Sequence, residues 1–155
     1  HGCPWDESTT TEAAEKGHSE PLRYALEHGC PHEGYVILWA AQSNSLECLR
    51  YLVEDQLLYM DEDVFIAVLL GGCLTNLQFL LDQGCPHLNA DFADYAERWT
   101  LYDNQFRENN PQFVLCVAYA VERGWLLDES FIRYIVTKDK PCKQWLIAEG
   151  YYIDW

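Results

Sequence analysis

The sequence lacks the short motifs around which many catalytic sites are built. It has no Gly-x-Ser-x-Gly nucleophile elbow, no glycine-rich phosphate loop and no His-Glu-x-x-His zinc motif. A Cys-x-x-Cys pair, the usual spacing for zinc or redox chemistry, is also missing. Carboxylate pairs such as Asp61 with Asp63 are common in a chain this acidic, and we interpret them as solvated helix starts. The sequence therefore predicts a protein that is not an enzyme and that uses no cofactor.

Positive charge is scarce, with 10 Lys and Arg against 25 Asp and Glu and a formal net charge of −15. A surface of this sign repels both a nucleic-acid backbone and an anionic membrane. Apolar runs such as VFIAVLL and VLCVAYAV are far shorter than the ~20 residues that cross a bilayer. We therefore expect protein partners, with no nucleic acid, no direct membrane insertion and no small-molecule substrate.

The cysteines are seven, an odd number without the paired spacing of a secreted disulfide scaffold. We interpret them as reduced, small, semi-buried side chains, which is the usual state of free cysteine. The sequence does not identify the compartment. Reduced thiols would predict a reducing one, either the cytoplasm or an organelle matrix or stroma.

Similar short segments recur along the chain at nearly regular intervals. Gly-Cys-Pro occurs three times, within a set of anchor positions that are spaced 27, 27, 28, 40 and 26 residues apart. These anchors are Gly2, Gly29, Gln56, Gly84, Gly124 and Gly150. Apolar residues stand three and four positions before the anchors, and an aromatic residue stands five before. The aromatic column consists of Tyr24, Tyr51, Phe79, Tyr119 and Trp145. Columns that stay in register along the whole chain indicate a repeat protein.

Each unit has the pattern of two short helices joined by a turn. The apolar residues of SLECLRYLVED follow helical spacing and predict one buried stripe. Asp6, Asp61 and Asp128 are suited to cap the first helix of a unit. Gly-Cys-Pro ends each second helix, because glycine adopts positive φ and proline cannot continue the helix, while cysteine packs under the turn. Helices this short must stack on their neighbours to bury their apolar faces.

The units resemble the ankyrin repeat, in a short form of about 27 residues that occurs in algae, other unicellular eukaryotes and large DNA viruses. The resemblance is carried by GCPWDEST…AAEKGHSEPLRYALEHGCP (2–31) and AAQSNSLECLRYLVEDQ (40–56). It fades through 68–86, and only the columns remain in the last third. It implies an all-α helical-repeat solenoid of about five helix-turn-helix units, which binds partners through its turn tips and concave side.

The anchors divide a single ankyrin-like repeat domain, 1–155, into successive units. We predict units at about 1–27, 28–54, 55–82, 83–122 and 123–149, and the start of a further turn at 150–155. Because His1 and Trp155 each lie within a turn motif, we expect both ends to be cut points.

The fourth unit exceeds the regular length by about 13 residues, with an insertion at about 95–112. Its apolar spacing predicts a first helix lengthened from about Asn89 to Arg107, followed by a turn at Asn109–Pro111. This helix would either protrude as a contact surface or fold back on its own repeat.

Two turns pair a thiol with an imidazole: Cys30 with His32, and Cys85 with His87. Together they offer four potential zinc ligands. The turns lie two repeats apart, however, which is roughly 20 Å at about 10 Å per layer of packed helices. One metal ion could not reach both turns, so no metal site is expected.

The predicted site is therefore a surface, in which aromatic turn-tip residues are surrounded by acids. Aromatic residues of the insertion and of the C-terminal end would extend it. The candidate partner-binding residues are Trp5, Asp6, His32, Tyr59, Asp61, Glu62, Asp63, His87, Trp99, Tyr102, Phe106, Trp125, Tyr151 and Trp155. Alternatively, turn residues such as Trp5 and Tyr59 pack against a neighbouring turn and bind nothing.

The predicted function is a non-catalytic protein–protein interaction module. In one version the chain is a scaffold or structural subunit held within a larger protein assembly. In the alternative it is a free, reversible adaptor that recognises a basic or mixed-charge partner. A third version, an enzyme or metal-binding domain, would require chemistry for which the sequence offers no motif.

Overall fold

The computed structural model describes residues 6–32, 36–43, 45–55, 60–87, 90–98 and 112–151. Within these ranges the chain is helical and contains no strand, which confirms the predicted all-α class. The α-helices are α1 (Glu7–Glu15), α2 (Ser19–Glu27), α3 (Val36–Gln42), α4 (Leu46–Arg50), α5 (Glu62–Gly71), α6 (Leu74–Asp82), α7 (Phe92–Arg98), α8 (Phe113–Glu122), α9 (Glu129–Lys138) and α10 (Lys140–Ala148). Helix α4 continues directly into a π-helical turn at Tyr51–Asp55. Across the described ranges, none of the helices combines the length and apolar character needed to cross a membrane.

The helices contact one another in two series. Helices α1, α3, α5, α7 and α9 each contact the next in that order, and so do α2, α4, α6, α8 and α10. Contacts also join the two series, between α1 and α2, α3 and α4, α5 and α6, and α9 and α10. Helix pairs are thus packed side by side in chain order. Their grouping into a repeat solenoid stays a prediction.

Aspartates cap the starts of α1, α5, α7, α9 and α10, and the sequence predicts those before α1, α5 and α9. Asp6, Asp61 and Asp128 each accept a hydrogen bond from the backbone N–H three residues on, at 3.0, 3.1 and 2.7 Å. Asp91 and Asp139 do the same before α7 and α10, at 3.1 and 2.8 Å. Each carboxylate satisfies an N–H that the helix itself leaves without a partner.

One hydrogen bond recurs where the even-numbered helices end. The residue after the anchor glycine donates its N–H to the carbonyl five residues earlier, for example from Cys30 to Ala25 at 2.9 Å and from Cys85 to Leu80 at 3.1 Å. The same bond forms at Trp125 and Tyr151. Gly29 and Gly84 have φ of 71° and 85°, a conformation that strains any residue with a Cβ. The predicted role of Gly-Cys-Pro as a helix-ending turn is confirmed at these two glycines.

The core follows two columns of the sequence pattern. The residues four before an anchor are fully buried in each pair of the described chain: Ala25, Leu52, Leu80, Ala120 and Leu146. The residues seven before it are fully buried in the first four pairs: Leu22, Leu49, Leu77 and Val117. In the last pair Lys143 takes this position and is half-buried. The predicted apolar stripe is therefore the core side of the even-numbered helices.

The prediction that all seven cysteines are reduced is wrong at Cys30, which is disulfide-bonded. The free cysteines of the described chain are Cys48, Cys73, Cys85, Cys116 and Cys142. All of these except Cys73 are buried, because they stand on the inner side of their helices and turns. The disulfide at Cys30 is atypical of a reducing compartment, whereas the free thiols are typical of one.

The predicted long helix of the fourth unit can be followed only over its first part. Helix α7 begins at Phe92, three residues after the predicted start, because Asp91 caps it there. Residues 99–107 and the predicted turn at Asn109–Pro111 lie outside the described residues, as does most of the 95–112 insertion.

A polar residue interrupts the core in α6. Asn76 is fully buried, and within the described chain neither its amide oxygen nor its amide nitrogen has a hydrogen-bond partner. It is the third residue after the N-cap Cys73. The same position holds Cys48 after Ser45 and Cys142 after Asp139. Two other helices thus show that a small thiol fits where α6 has an amide.

Replacing Asn76 by Cys is expected to stabilise the fold by roughly 1 to 3 kcal/mol, because an unpaired buried amide is removed. Urea unfolding followed by circular dichroism measures the change. The matched control is Thr75→Cys, at an exposed neighbouring position, which should alter stability by no more than about 0.5 kcal/mol. A destabilised N76C variant would show that the amide has a favourable role.

Candidate interaction surface

The starts of the odd-numbered helices lie along one edge of the molecule. The Thr10 hydroxyl in α1 donates to the Pro31 carbonyl, at 3.0 Å, in the turn that leads towards α3. The Cys85 thiol, in the turn that leads towards α7, donates to the Asp61 carbonyl at the start of α5, at 3.5 Å. The first turns of α1 and α5 are therefore each next to the turn that precedes the following odd-numbered helix.

Asp128 joins the first turns of α7 and α9 directly. One carboxylate oxygen accepts from the N–H of Phe131 at 2.7 Å, and the other accepts from the N–H of Phe92 at 3.2 Å. A single side chain therefore binds the first turns of two neighbouring helices. Its charge is held where both helix dipoles are positive.

Carboxylates cluster along this edge, which we call the acidic edge. Its members are the exposed and half-buried acids at the starts of α1, α5, α7 and α9: Asp6, Asp61, Glu62, Asp91, Asp94, Asp128 and Glu129. Hydrogen bonds from the backbone and hydroxyl of Thr9 lower the pKa of Asp6. The first turns themselves, DEST, DEDV, DFAD and DESF, contain no Lys or Arg. Glu129 pairs with Arg133, one turn further along α9. The first turns of the edge therefore carry an excess of negative charge.

Asp63 is a correction to the predicted surface. It lies in the first turn of α5 but is buried, so it is not available to a partner. The side of α5 that carries Asp63 faces the core, because nearly the whole helix is enclosed by its neighbours.

His87 was predicted as a turn-tip contact residue, but its ring binds within the molecule. One ring nitrogen is 2.8 Å from the carbonyl oxygen of Arg123, and the other is 3.2 Å from that of Cys85. The ring also packs on Phe65, with centroids 5.7 Å apart. His87 thus ties two successive turns together, while His32 is exposed.

Trp125 is the second correction, because it is a core residue and not part of an exposed aromatic end. Its exposed fraction is 1%. The indole meets Phe65 and Phe131 edge-on, at 5.3 and 5.1 Å, and its N–H donates to the Ala90 carbonyl at 3.3 Å. In the sequence pattern Trp125 stands where Cys30 and Cys85 stand, one residue after the anchor glycine.

Among the remaining candidates, Tyr151 is exposed and stacks on Trp145, with ring centroids 5.8 Å apart. Asp6 is exposed, and Asp61 and Glu62 are half-buried. The other predicted contact residues lie outside the described residues: Trp5, Tyr59, Trp99, Tyr102, Phe106 and Trp155.

Sequence reasoning missed a set of contacts between successive even-numbered helices. Arg23 of α2 lies 4.6 Å over the ring of Tyr51, and its guanidinium is 3.9 Å from the Asp55 carboxylate. Arg50 of α4 lies 5.4 Å over the ring of Phe79 in the same way. The available signal was an arginine directly before the aromatic column in the first two units. Such cation–π contacts contribute about 0.5–1 kcal/mol each at exposed sites.

Nucleophilic chemistry has no support at Cys85. Burial, with a smaller contribution from the Asp61 charge, raises the pKa of the Cys85 thiol to about 12. Its neighbour His87 directs its ring nitrogens at carbonyl oxygens and not at the sulfur. Burial also raises the pKa of Cys116 and Cys142 to about 12. In the described part of the chain, no group of three His, Cys, Asp or Glu side chains could hold a metal ion.

Comparison with known proteins gives no match: no family model fits the sequence, and no curated protein or solved structure is significantly similar.

In native protein at pH 8, Cys85, Cys116 and Cys142 should react with iodoacetamide on the order of 100-fold more slowly than in urea-unfolded protein, because little thiolate forms. Mass spectrometry of the labelled peptides measures this, with half-buried Cys73 as the internal comparison. Fast native labelling of Cys85 would contradict its burial.

The raised pKa values of these thiols also predict a pH dependence of stability. Below pH 9.0, the ordinary pKa of a cysteine thiol, their burial stabilises the fold. That contribution should be lost as the pH rises from 9 towards 12.

Replacing Trp125 by Ala should lower the unfolding free energy by about 3 to 5 kcal/mol, because it removes the ring between Phe65 and Phe131. Leu126→Ala, one residue further on, is the matched control. Leu126 is 76% exposed, so its loss should change stability by about 0.5 kcal/mol or less. Equal effects in thermal or urea unfolding would disprove the core role of Trp125.

Proposed function

We propose that this chain is a non-catalytic protein–protein interaction module, folded as an ankyrin-like helical-repeat solenoid of about five helix-turn-helix units. Three regularities support the repeat arrangement. The helices contact in two series, one turn hydrogen bond recurs after four anchor glycines, and the core columns keep their register. Solenoids of this type expose a long surface along which a partner can bind. Because a fold alone does not define a function, the proposal depends on that surface.

The acidic edge is the observation that carries the proposal. It brings together carboxylates from four helices that are far apart in sequence, with no Lys or Arg in the same first turns. A surface with this charge attracts a basic or mixed-charge protein and speeds their encounter. It repels nucleic acid and anionic lipid for the same reason.

The acids of the edge divide into two groups with different roles. Asp6, Asp61, Asp91 and Asp128 are caps, and each is used to hold its own helix. Acids near a helix start are also stabilising by typically 0.3–1 kcal/mol through the helix dipole. Asp94 and Glu129 are exposed first-turn residues, and Glu129 forms an exposed ion pair with Arg133 one turn further along α9. Both carboxylates lie at the surface, where a partner can reach them.

A second observation favours the version in which the chain is held within a larger assembly. Large apolar residues are exposed on the last helix pair, namely Ile147 and Tyr151, and Leu126 is exposed in the turn before it. A permanent interface would remove these side chains from water. A reversible adaptor for a basic partner remains the alternative that the acidic edge supports equally.

The test is gradient sedimentation of native extract, followed by cross-linking mass spectrometry of the fractions that contain the chain. We expect it in a particle much larger than 18.0 kDa, with cross-links from lysines near the last helix pair to fixed neighbours. The double variant Asp94→Lys/Glu129→Lys should leave the particle, because its edge charge is reversed. Migration as a free monomer would reject the subunit version.

The matched control is Glu122→Lys/Glu149→Lys, which makes the same change of net charge on exposed residues of the even-numbered series. It should stay in the particle. If both double variants behave alike, net charge and not the acidic edge governs association.

A further inference from the structure

Side chains meet in one register at the junctions between successive even-numbered helices. Counted back from the anchors, a residue of one helix contacts the residue that is one position nearer the anchor on the next helix. Four contacts follow this rule, at positions ten and nine, six and five, or two and one: Ser19–Glu47, Arg23–Tyr51, Arg50–Phe79 and Asp82–Arg123. The register therefore holds from α2 to α8.

The aromatic residues five before the anchors have a cationic or imidazole neighbour in α2, α4, α6 and α8. The rings of α4 and α6 lie under arginines of the preceding helix. Tyr119 in α8 is covered by Arg123 of its own helix, at 5.6 Å. Tyr24 in α2 stacks on His28, with ring centroids 3.9 Å apart.

Trp145, the aromatic residue of α10, breaks this pattern. The register sets Ala118 of α8 opposite it, and an alanine is too short to cover the ring. Within the described chain no cationic side chain lies over Trp145, which stacks instead on Tyr151. The indole is half-buried, so part of it remains open to solvent. An open tryptophan attracts a cation more strongly than any other aromatic side chain.

The same junction also carries two carboxylates without a cation. The register sets Glu122 of α8 opposite Glu149 of α10, where the preceding junction pairs Asp82 with Arg123 at 3.4 Å. Both glutamates are exposed, and neither forms an ion pair in the part of the chain that the structure describes. Their mutual repulsion is relieved when a cation lies between them.

The α2–α4 junction shows how an arginine uses such a place. The Cζ atom of Arg23 is 4.6 Å from the centre of the Tyr51 ring, and its guanidinium is 3.9 Å from the carboxylate of Asp55, four residues after the tyrosine. In α10, Glu149 likewise stands four residues after Trp145. The α8–α10 junction therefore has the ring and the carboxylate of an arginine contact, but it lacks the arginine.

We propose that the α8–α10 junction binds an arginine side chain of a partner protein, in the place that an arginine of the preceding helix takes at the α2–α4 and α4–α6 junctions. The guanidinium stacks on Trp145 and pairs with Glu122 and Glu149, because its planar fork can do both at once. The occupant is thus an arginine on a basic segment, which the net charge of −15 also attracts. This inference rests on the proposed interaction role but uses a surface other than the acidic edge.

Titration with Nα-acetyl-arginine amide, followed by the indole N–H signal of Trp145 in proton–nitrogen NMR spectra, tests the site. Nα-acetyl-citrulline amide is the matched probe, since it has nearly the same shape without the charge. We expect saturable shifts at Trp145 and about tenfold weaker binding of the citrulline probe. The absence of a saturable shift, or equal binding of both probes, would overturn the proposal. So would equal binding of Nα-acetyl-lysine amide, which lacks the planar fork.

Ala118→Arg supplies the missing arginine from within the chain. It should raise Tm by about 1 to 4 °C through the new cation–π contact, and it should abolish binding of the arginine probe. Gln78→Arg is the matched control, because it makes a similar change at the α6–α8 junction, where Arg123 already covers Tyr119. It should leave probe binding unchanged. A folded Ala118→Arg variant that still binds the probe would contradict the proposed site.

Glu149→Gln removes one charge of the site at an exposed position, so the variant is expected to fold whether or not Ala118→Arg does. It should weaken binding of the arginine probe about threefold. Glu27→Gln, at an exposed acid of α2, is the control and should have no effect. Equal effects of the two substitutions would mean that net charge alone attracts the probe, and the proposal would be wrong.

The double variants of the sedimentation experiment separate this inference from the proposed function. Glu122→Lys/Glu149→Lys should stay in the particle and lose the arginine probe. Asp94→Lys/Glu129→Lys should leave the particle and keep the probe. A parent chain that sediments in the particle but does not bind the probe would reject the arginine site alone. A free monomer that binds the probe would reject the subunit version alone.

Discussion

The packing of the fold follows from one constraint, the glycine turn that ends α2, α6, α8 and α10. Each of these glycines takes a positive φ, and the next residue closes the helix with a hydrogen bond to the carbonyl five residues earlier. That bond fixes the direction of the next side chain, which points under the turn and is buried at Cys30, Cys85 and Trp125. The same geometry accepts the smallest and the largest of these side chains because the neighbours adapt. At Trp125, Phe65 and Phe131 provide the surrounding surface.

This packing decides what the reactive side chains do. A cysteine under a turn or inside a helix contact is removed from water, which disfavours the thiolate and leaves a small apolar group. Both ring nitrogens of His87 are likewise directed at carbonyl oxygens of two turns inside the protein. Most carboxylates, in contrast, lie at the surface. A helix start requires an acceptor and favours negative charge, so the acids gather where the odd-numbered helices begin. The buried thiols are thus unreactive and the acidic edge is charged, which is the basis of the proposed interaction role.

Much of the fold could be predicted from local rules. Asp6, Asp61 and Asp128 were recognised as caps, and the apolar columns were recognised as the core, because helical spacing and capping are properties of neighbouring residues. The misses concern contacts between distant residues. The aromatic pattern predicts an exposed Trp125, although its place in the pattern matches buried Cys85. The acidic pattern predicts an exposed Asp63, although α5 is enclosed. The Arg23–Tyr51 contact joins residues 28 apart in sequence, and only the packing of α2 on α4 brings them together.

Local sequence is enough to define the helix ends, the turns and the inward columns, because glycine conformation, capping and apolar periodicity act within one or two helical turns. Composition alone also defines the excess of negative charge. Which acids share an edge, and which aromatic residues remain exposed, follows from the packing of distant helices. That packing also places the imidazole of His87 between two turns. Those outcomes depend on how one helix pair packs on the next, since exposure and distance are properties of the stacked pairs and not of any single segment.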